Sequence, residues 1–249
     1  MIDVRNLSFR YPHAPRNALN GLTFQISEGS VTAIMGSNGS GKSTLARCIN
    51  GLLCPSGGSV EIEDLRTDNA AHVRQIRWQV GMIFQDPNLQ MTSINVEREV
   101  AFGLENFAVE HVEMHRRVEE HLRKFRLDQY RDTPIAHLSA GEKQRLAIAS
   151  VVILQPRYLI LDEATSLLSG FSRKAVIDLV MRLRDETRMA VILITQFPAE
   201  ALRTDRLMVL HQGRLLCDGV PSAIFDREAV RLHGCGVPLP VRARIEQEL

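Results

Sequence analysis

The segment Val31-Thr32-Ala33-Ile34-Met35 runs without a break into Gly36-Ser37-Asn38-Gly39-Ser40-Gly41-Lys42-Ser43-Thr44. The first five residues are mostly apolar and too few for a helix, so they predict a buried strand. The glycine-rich stretch fits Gly-x4-Gly-Lys-Ser, and a helix is predicted to begin near Lys42. That order of strand, loop and helix constrains the fold more than any other feature. Glycines let successive backbone N–H groups close around an anion, and the following helix turns its positive end toward the same point. A nucleoside triphosphate is therefore expected on Ser37, Asn38, Gly39, Ser40, Gly41, Lys42, Ser43 and Thr44. Lys42 would pair with the β and γ phosphates, and Ser43 would hold Mg²⁺.

The rest of the chain supplies matching elements. Ile2 to Phe9 and Leu22 to Ile26 read as short strands, separated by turn residues at Pro12 to Pro15. Gly57-Gly58 turns the chain into a strand at Ser59 to Ile62. Tyr158 to Leu161 and Ala190 to Thr195 are buried strands, and helices are predicted over Glu142 to Leu154 and Arg173 to Arg188. Strands alternating with helices argue for an α/β fold whose mostly parallel sheet is covered on both faces. Val96 to Arg126 is charged and helical in pattern, with Val112, Met114, Val118, Leu122 and Phe125 as its expected apolar face. The charged residues between them, with His111, His115 and His121, read as a solvated face.

Two adjacent carboxylates, Asp162 and Glu163, end the strand Leu159-Ile160-Leu161. In a chain with a phosphate loop they divide the work. Asp162 is expected to orient Mg²⁺, and Glu163 to polarise the attacking water as general base.

Composition narrows the setting. The 249 residues carry a formal net charge of +1, which gives no electrostatic footprint for nucleic acid. Cys48, Cys54, Cys217 and Cys235 are scattered, without the spacing of a zinc site or a disulfide frame. The start lacks an apolar signal segment, and the longest apolar runs are too short to span a bilayer. A membrane role would be peripheral and through a partner.

Leu138-Ser139-Ala140-Gly141-Glu142 lies just upstream of Leu159 to Glu163. With the phosphate loop, this pentapeptide resembles the signature of ABC ATPases. The resemblance covers most of the chain. It implies an N-terminal antiparallel β subdomain and an inserted helical signature subdomain at about 86–150, within an ATPase domain of 1–225. By the same resemblance Gln85 touches metal or water, and Tyr11 stacks on adenine. Ser139 and Gly141 face the γ-phosphate held by a second ATPase subunit, identical or related, so that ATP joins two subunits head to tail.

Three positions depart from that pattern. Gln196, in Ile194-Thr195-Gln196-Phe197, stands where the family has a switch histidine. Its amide donates a hydrogen bond but cannot carry a proton. Ser169 replaces an aspartate of the loop after Glu163. In the signature, Ala140 replaces a glycine and Glu142 a glutamine, which brings a negative charge near the segment that approaches phosphate. Lys42, Asp162 and Glu163 are retained, so slow but real turnover is expected, with Lys42, Gln85, Glu163 and Gln196 as the reacting set.

Two stretches resemble the ATPases of energy-coupling-factor importers for vitamins or transition-metal ions. One is Phe84-Gln85-Asp86-Pro87-Asn88-Leu89-Gln90, followed by Val100-Ala101-Phe102-Gly103. The other is Leu232-His233-Gly234-Cys235-Gly236-Val237-Pro238, within a C-terminal helical extension (226–249) expected to contact the second subunit. The resemblance implies an integral membrane scaffold, docked near Gln85 to Gln90, and a small substrate-binding membrane protein. The ATPase would lie peripherally on the cytoplasmic face of the membrane. An ATPase of another ABC transporter class, and a soluble nucleotide-switched module with little hydrolysis, stay open as alternatives.

Overall fold

The computed structural model describes residues 1–240. In chain order the elements are β1 (Ile2–Phe9), β2 (Leu19–Ile26), β3 (Val31–Met35), α1 (Lys42–Ile49), β4 (Gly57–Ile62), β5 (Leu65–Arg66), α2 (Val73–Gln79), β6 (Val80–Ile83), α3 (Val96–Asn106), α4 (His111–Lys124) and α5 (Ala140–Val152). They continue with β7 (Tyr158–Asp162), α6 (Gly170–Thr187), β8 (Ala190–Ile194), α7 (Pro198–Ala201), β9 (Arg206–His211), β10 (Arg214–Gly219), α8 (Pro221–Arg227) and α9 (Ala229–Gly234).

Two sheets organise them. The larger has the order β10-β9-β3-β8-β7-β6 and is parallel except for β10 at its edge. The smaller, β2-β1-β4-β5, is antiparallel. The period-2 alternation of each central strand divides the interior. In β7 and β8, Tyr158, Ile160, Ala190, Ile192 and Ile194 face the layer shared with α1 and the smaller sheet. Leu159, Leu161, Val191 and Leu193 face the other way, onto α3, α4, α5 and α6. Burial on both faces explains why these strands read as continuous apolar runs. It also holds the C-terminal ends of β3 and β7, which carry the phosphate loop and the paired carboxylates, side by side on either side of β8.

Differences from the sequence expectation have physical causes. Val96 to Arg126 is two helices, because the chain breaks at 107–110 and Glu110 caps a new start by accepting from the backbone N–H of Val112 and Glu113. Val112 is 72% exposed and does not belong to the apolar face, whereas Val118, Leu122 and Phe125 are buried. The edge strands β5 and β10 and the helix α2 carry mixed polar and apolar residues and give little periodic signal, and internal β9 offers only the short apolar run Leu207, Met208, Val209 and Leu210. The C-terminal segment is continuous with the body, since Ile224 and Phe225 of α8 share a core with Leu232, Val237 and Leu239 against Ala33, Met35 and Val209. The part of the expected extension at 241–249 lies outside the described residues. Among the described residues no helix is long and apolar enough to cross a membrane.

Candidate nucleotide site

The phosphate loop is shaped from three sides. A side chain at Gly36 would put its Cβ 2.3 Å from the Leu210 carbonyl oxygen, and one at Gly41 would meet the Ala18 carbonyl oxygen at 2.6 Å. Neither position has room for a methyl group. The β9–β10 turn supports the loop from behind, where the Gly213 N–H donates to the Ser40 carbonyl at 3.0 Å and the Gly213 carbonyl accepts from the Asn20 N–H at 2.8 Å. Gly41, at the N-terminal cap of α1, leaves that helix end without a side-chain cap, and no acidic residue lies in its first turn. Four backbone N–H groups of such an end have no intrahelical partner, so the loop presents free donors and a positive dipole end to an anion.

Lys42 is buried and reaches back over the loop. Its Nζ donates to the Gly36 carbonyl at 2.9 Å and the Ser37 carbonyl at 3.1 Å. It also lies 3.7 Å from Glu163 Oε1. Burial lowers its pKa, opposed by the charges of Glu163 and then Asp162. Ser43 Oγ donates to Asp162 Oδ1 at 2.9 Å. Burial raises the pKa of Asp162, and the Ser43 bond works against that shift. Ser40 Oγ is buried without a hydrogen-bond partner. The loop thus offers a lysine and an unpaired hydroxyl, with a serine–aspartate pair beside them. These are donors for phosphate oxygens and hard oxygen ligands for a divalent cation. Mg²⁺ is usually held by one or two such protein oxygens together with substrate phosphates, so the residues fit both groups.

Glu163 has a left-handed backbone, with φ of 52°, a conformation costing roughly 1–2 kcal/mol outside glycine. It is held there by its N–H to the Ile194 carbonyl at 3.1 Å and by the Ser166 N–H on its own carbonyl at 3.0 Å. Gln196 Nε2 donates to Glu163 Oε2 at 2.9 Å and lies 3.3 Å from Asn38 Oδ1. Gln85 Nε2 donates to Ser166 Oγ at 3.2 Å. Tyr11 packs edge-on against Phe9, with ring centroids 4.9 Å apart, and its hydroxyl meets Thr44 Oγ1 at 3.1 Å.

Tyr11, Asn38, Gly39, Gly41, Lys42, Ser43, Thr44, Gln85, Glu163 and Gln196 line one cavity of about 500 Å³, together with Ala18. Ser37 and Ser40 belong to the same loop, and Asp162 joins it through Ser43. Ser139 and Gly141 do not line it. They sit at the start of α5, where Gly141 lies against Ser172 of α6. That end is closed by a capping box, in which Ser139 Oγ accepts from the Glu142 N–H at 3.4 Å while Glu142 Oε2 accepts from the Ser139 N–H at 2.8 Å and from Ser139 Oγ at 2.7 Å. The Tyr130 hydroxyl and then Ser139 hold the Glu142 carboxyl down to about 2. Ser169 caps α6, accepting from the Ser172 N–H at 3.4 Å.

Sequence reasoning missed several contributors. Ser166, Thr165 and the β9–β10 turn carry no motif of their own. Glu200 is buried under Thr165 and Thr195, and its only sequence signal is a charged residue placed beside apolar Ala201 in a short helix.

Residues 19–166 match the ABC transporter domain family. Over its full length the chain is 41% identical to the energy-coupling factor transporter ATP-binding protein EcfA1 of Ligilactobacillus salivarius, and covers 88% of that protein. The chain belongs to the ABC transporter family. The EcfA1 protein of Bacillus subtilis is 40% identical, with all of this chain and 88% of the relative covered. Among solved structures, cbiO1 of Clostridium perfringens, part of the ABC transporter complex cbiONQ, superposes with a TM-score of 0.84 at 31% identity, covering 99% of this chain and 98% of that one. The ATP-binding cassette MJ0796, a dimer bound to ADP and Pi, gives 0.79 at 25% identity and covers 89% and 99%. ATP is accordingly the nucleotide of the phosphate loop, and its hydrolysis coupled to transport is the activity of this family of ATPases.

Proposed function

We infer that this chain is the ATP-hydrolysing subunit of an energy-coupling-factor importer, taking up a vitamin or a transition-metal ion. The observation that carries the reading is full-length similarity to such ATP-binding proteins in a chain whose Lys42, Asp162 and Glu163 converge on one cradle. Lys42 would release its loop carbonyls and Glu163 to meet the β and γ phosphates. Ser43 and Asp162 would hold Mg²⁺, whose chemistry is to neutralise phosphate charge. Glu163, freed from Lys42, would accept a proton from the attacking water, with Gln196 placed to donate its amide N–H to a γ-phosphate oxygen. Tyr11 would stack on adenine, and Gln85 would link the cavity to the turn at Pro87–Leu89.

Partner contacts follow the same logic. Ser139 and Gly141 stand away from the chain's own cavity and would complete that of a second ATPase subunit. Leu89 and Ile94, flanking the turn after Gln85, are 81% and 74% exposed. Apolar side chains so placed suit a membrane scaffold, which would hold the chain peripherally at the cytoplasmic face of the membrane. Co-purification of the tagged chain from detergent-solubilised native membranes tests the reading. A scaffold and a small integral membrane protein should accompany it, and the small protein would point to the cargo. Recovery only from the soluble fraction, in several detergents, would favour a nucleotide-switched module instead.

A further inference from the structure

Glu200 lies in α7, four residues beyond Gln196, and is 4% exposed. Its two oxygens serve two different segments. Oε1 accepts from Thr165 Oγ1 at 2.7 Å, and Oε2 from Thr195 Oγ1 at 2.5 Å. Thr165 is two residues past Glu163, and Thr195 immediately precedes Gln196. The Thr195 hydroxyl also accepts from the Phe197 N–H at 3.0 Å, so its single proton is committed to Glu200. Arg173 completes the cluster. Its Nε is 3.9 Å from Glu200 Oε1, its guanidinium lies 3.3 Å from the Phe197 ring centroid, and it donates to the Leu168 carbonyl at 3.1 Å.

A buried carboxylate is costly unless it is hydrogen-bonded. A plug for the core would have used an apolar residue. Here the charge faces the two hydroxyls that flank the reacting residues, and a cation that reaches the loop of Ser169. We propose that Glu200 is a positioning residue for hydrolysis, clamping the segment after Glu163 to the segment bearing Gln196 so that carboxylate and amide keep one geometry as nucleotide arrives. The proposal rests on the ATPase reading above and adds to it a residue that never touches nucleotide.

The test compares Glu200→Ala and Glu200→Gln with the parent chain in its assembled complex. Displacing reacting groups by about 1 Å can cost on the order of 100-fold in rate, so Glu200→Ala should lose about that factor in kcat. Glu200→Gln keeps the shape and one acceptor and should recover part of the loss. Binding of a fluorescent ATP analogue should stay at the parent value, because Thr165, Thr195 and Arg173, the side chains that Glu200 bonds or pairs with, do not line the nucleotide cavity. Thr195→Val guards against a charge deletion that simply fails to fold. It should lower kcat on its own and add nothing in the Glu200→Ala background.

Hydrogen exchange supplies a readout independent of turnover. Peptides covering 163–169 and 194–198 should exchange faster together in Glu200→Ala, while the 36–44 peptide is unchanged. A parent-like kcat in a folded Glu200→Ala protein would overturn the proposal. So would an exchange increase in one segment alone, or a uniform increase across the chain with weaker nucleotide binding. A parent complex that binds but never hydrolyses ATP would sink the ATPase reading, while the exchange comparison would still judge the clamp.

Discussion

The N-terminal ends of α1 and α5 make an instructive pair. Both follow a small-residue motif, and both are expected to meet a phosphate. The α1 end is open, with a glycine at its cap and no carboxylate in its first turn. The α5 end is shut by Ser139 and Glu142, which satisfy each other's backbone N–H groups. An anion can enter the first without competing with a carboxylate cap, although Lys42 must turn away from the Gly36 and Ser37 carbonyls to meet it. At the second it must compete with a carboxylate that is ionised at neutral pH. If the α5 end meets a second subunit's nucleotide as proposed, the open α1 end should bind its own nucleotide first.

The largest expected effect isolates the open end. Glu163→Gln should reduce hydrolysis by about 10²–10⁴-fold, the usual worth of a positioned base, while ATP binding persists because the α1 end and Lys42 are untouched. Steady-state turnover set against nucleotide retention on a filter would check this, and unchanged turnover would refute the assignment of the base. Gly36→Ala attacks the same end sterically. Its Cβ would fall 2.3 Å from the Leu210 carbonyl oxygen, and overpacking of this sort costs about 1–3 kcal/mol. Denaturant midpoints should fall accordingly, and nucleotide affinity with them.

A third change opens the closed end. Glu142→Gln removes the like charge near a helix N-terminus where charge effects run to about 0.3–1 kcal/mol. In a Glu163→Gln background it should tighten ATP-dependent dimerisation severalfold, read by sedimentation. No tightening would mean that the cap is not what limits engagement. The smallest effect is on pH. Because the Glu142 carboxyl is held down to about 2, its capping contribution is complete above the ordinary carboxylate range and lost as pH falls from there toward 2. Urea midpoints of the parent chain and Glu142→Gln should differ above pH 5 and converge near pH 2.

The phosphate loop, the carboxylate pair and the buried strands were legible because each is a local pattern with a local cause. Val31–Met35, Tyr158–Asp162 and Ala190–Ile194 are buried on both faces, and no other reading of those runs fits a strand–loop–helix unit. The edge strand β10 is less legible, since its residues are exposed or half-buried and Arg214 and Asp218 interrupt the pattern. Internal β9 is buried at Leu207, Met208, Val209 and Leu210, but four apolar residues between Arg206 and His211 are too few to tell strand from helix. Glu142 shows another limit. Its charge was visible in sequence, but the direction of its side chain depended on Ser139 and Tyr130. Glu200 lay further still from view, because its partners at Thr165 and Thr195 meet it only after β7, β8 and α7 have packed.

The turn between β9 and β10 gives the site an unusual history during synthesis. The phosphate loop leaves the ribosome early, within the first fifth of the chain, yet the hydrogen bonds from Gly213 and the Leu210 carbonyl that mould it come from residues made some 170 positions later. A nascent or truncated chain that ends before β9 carries the whole motif and an unsupported loop. A chain cut before β9 should therefore hold nucleotide more weakly than the full chain, although its motif is intact.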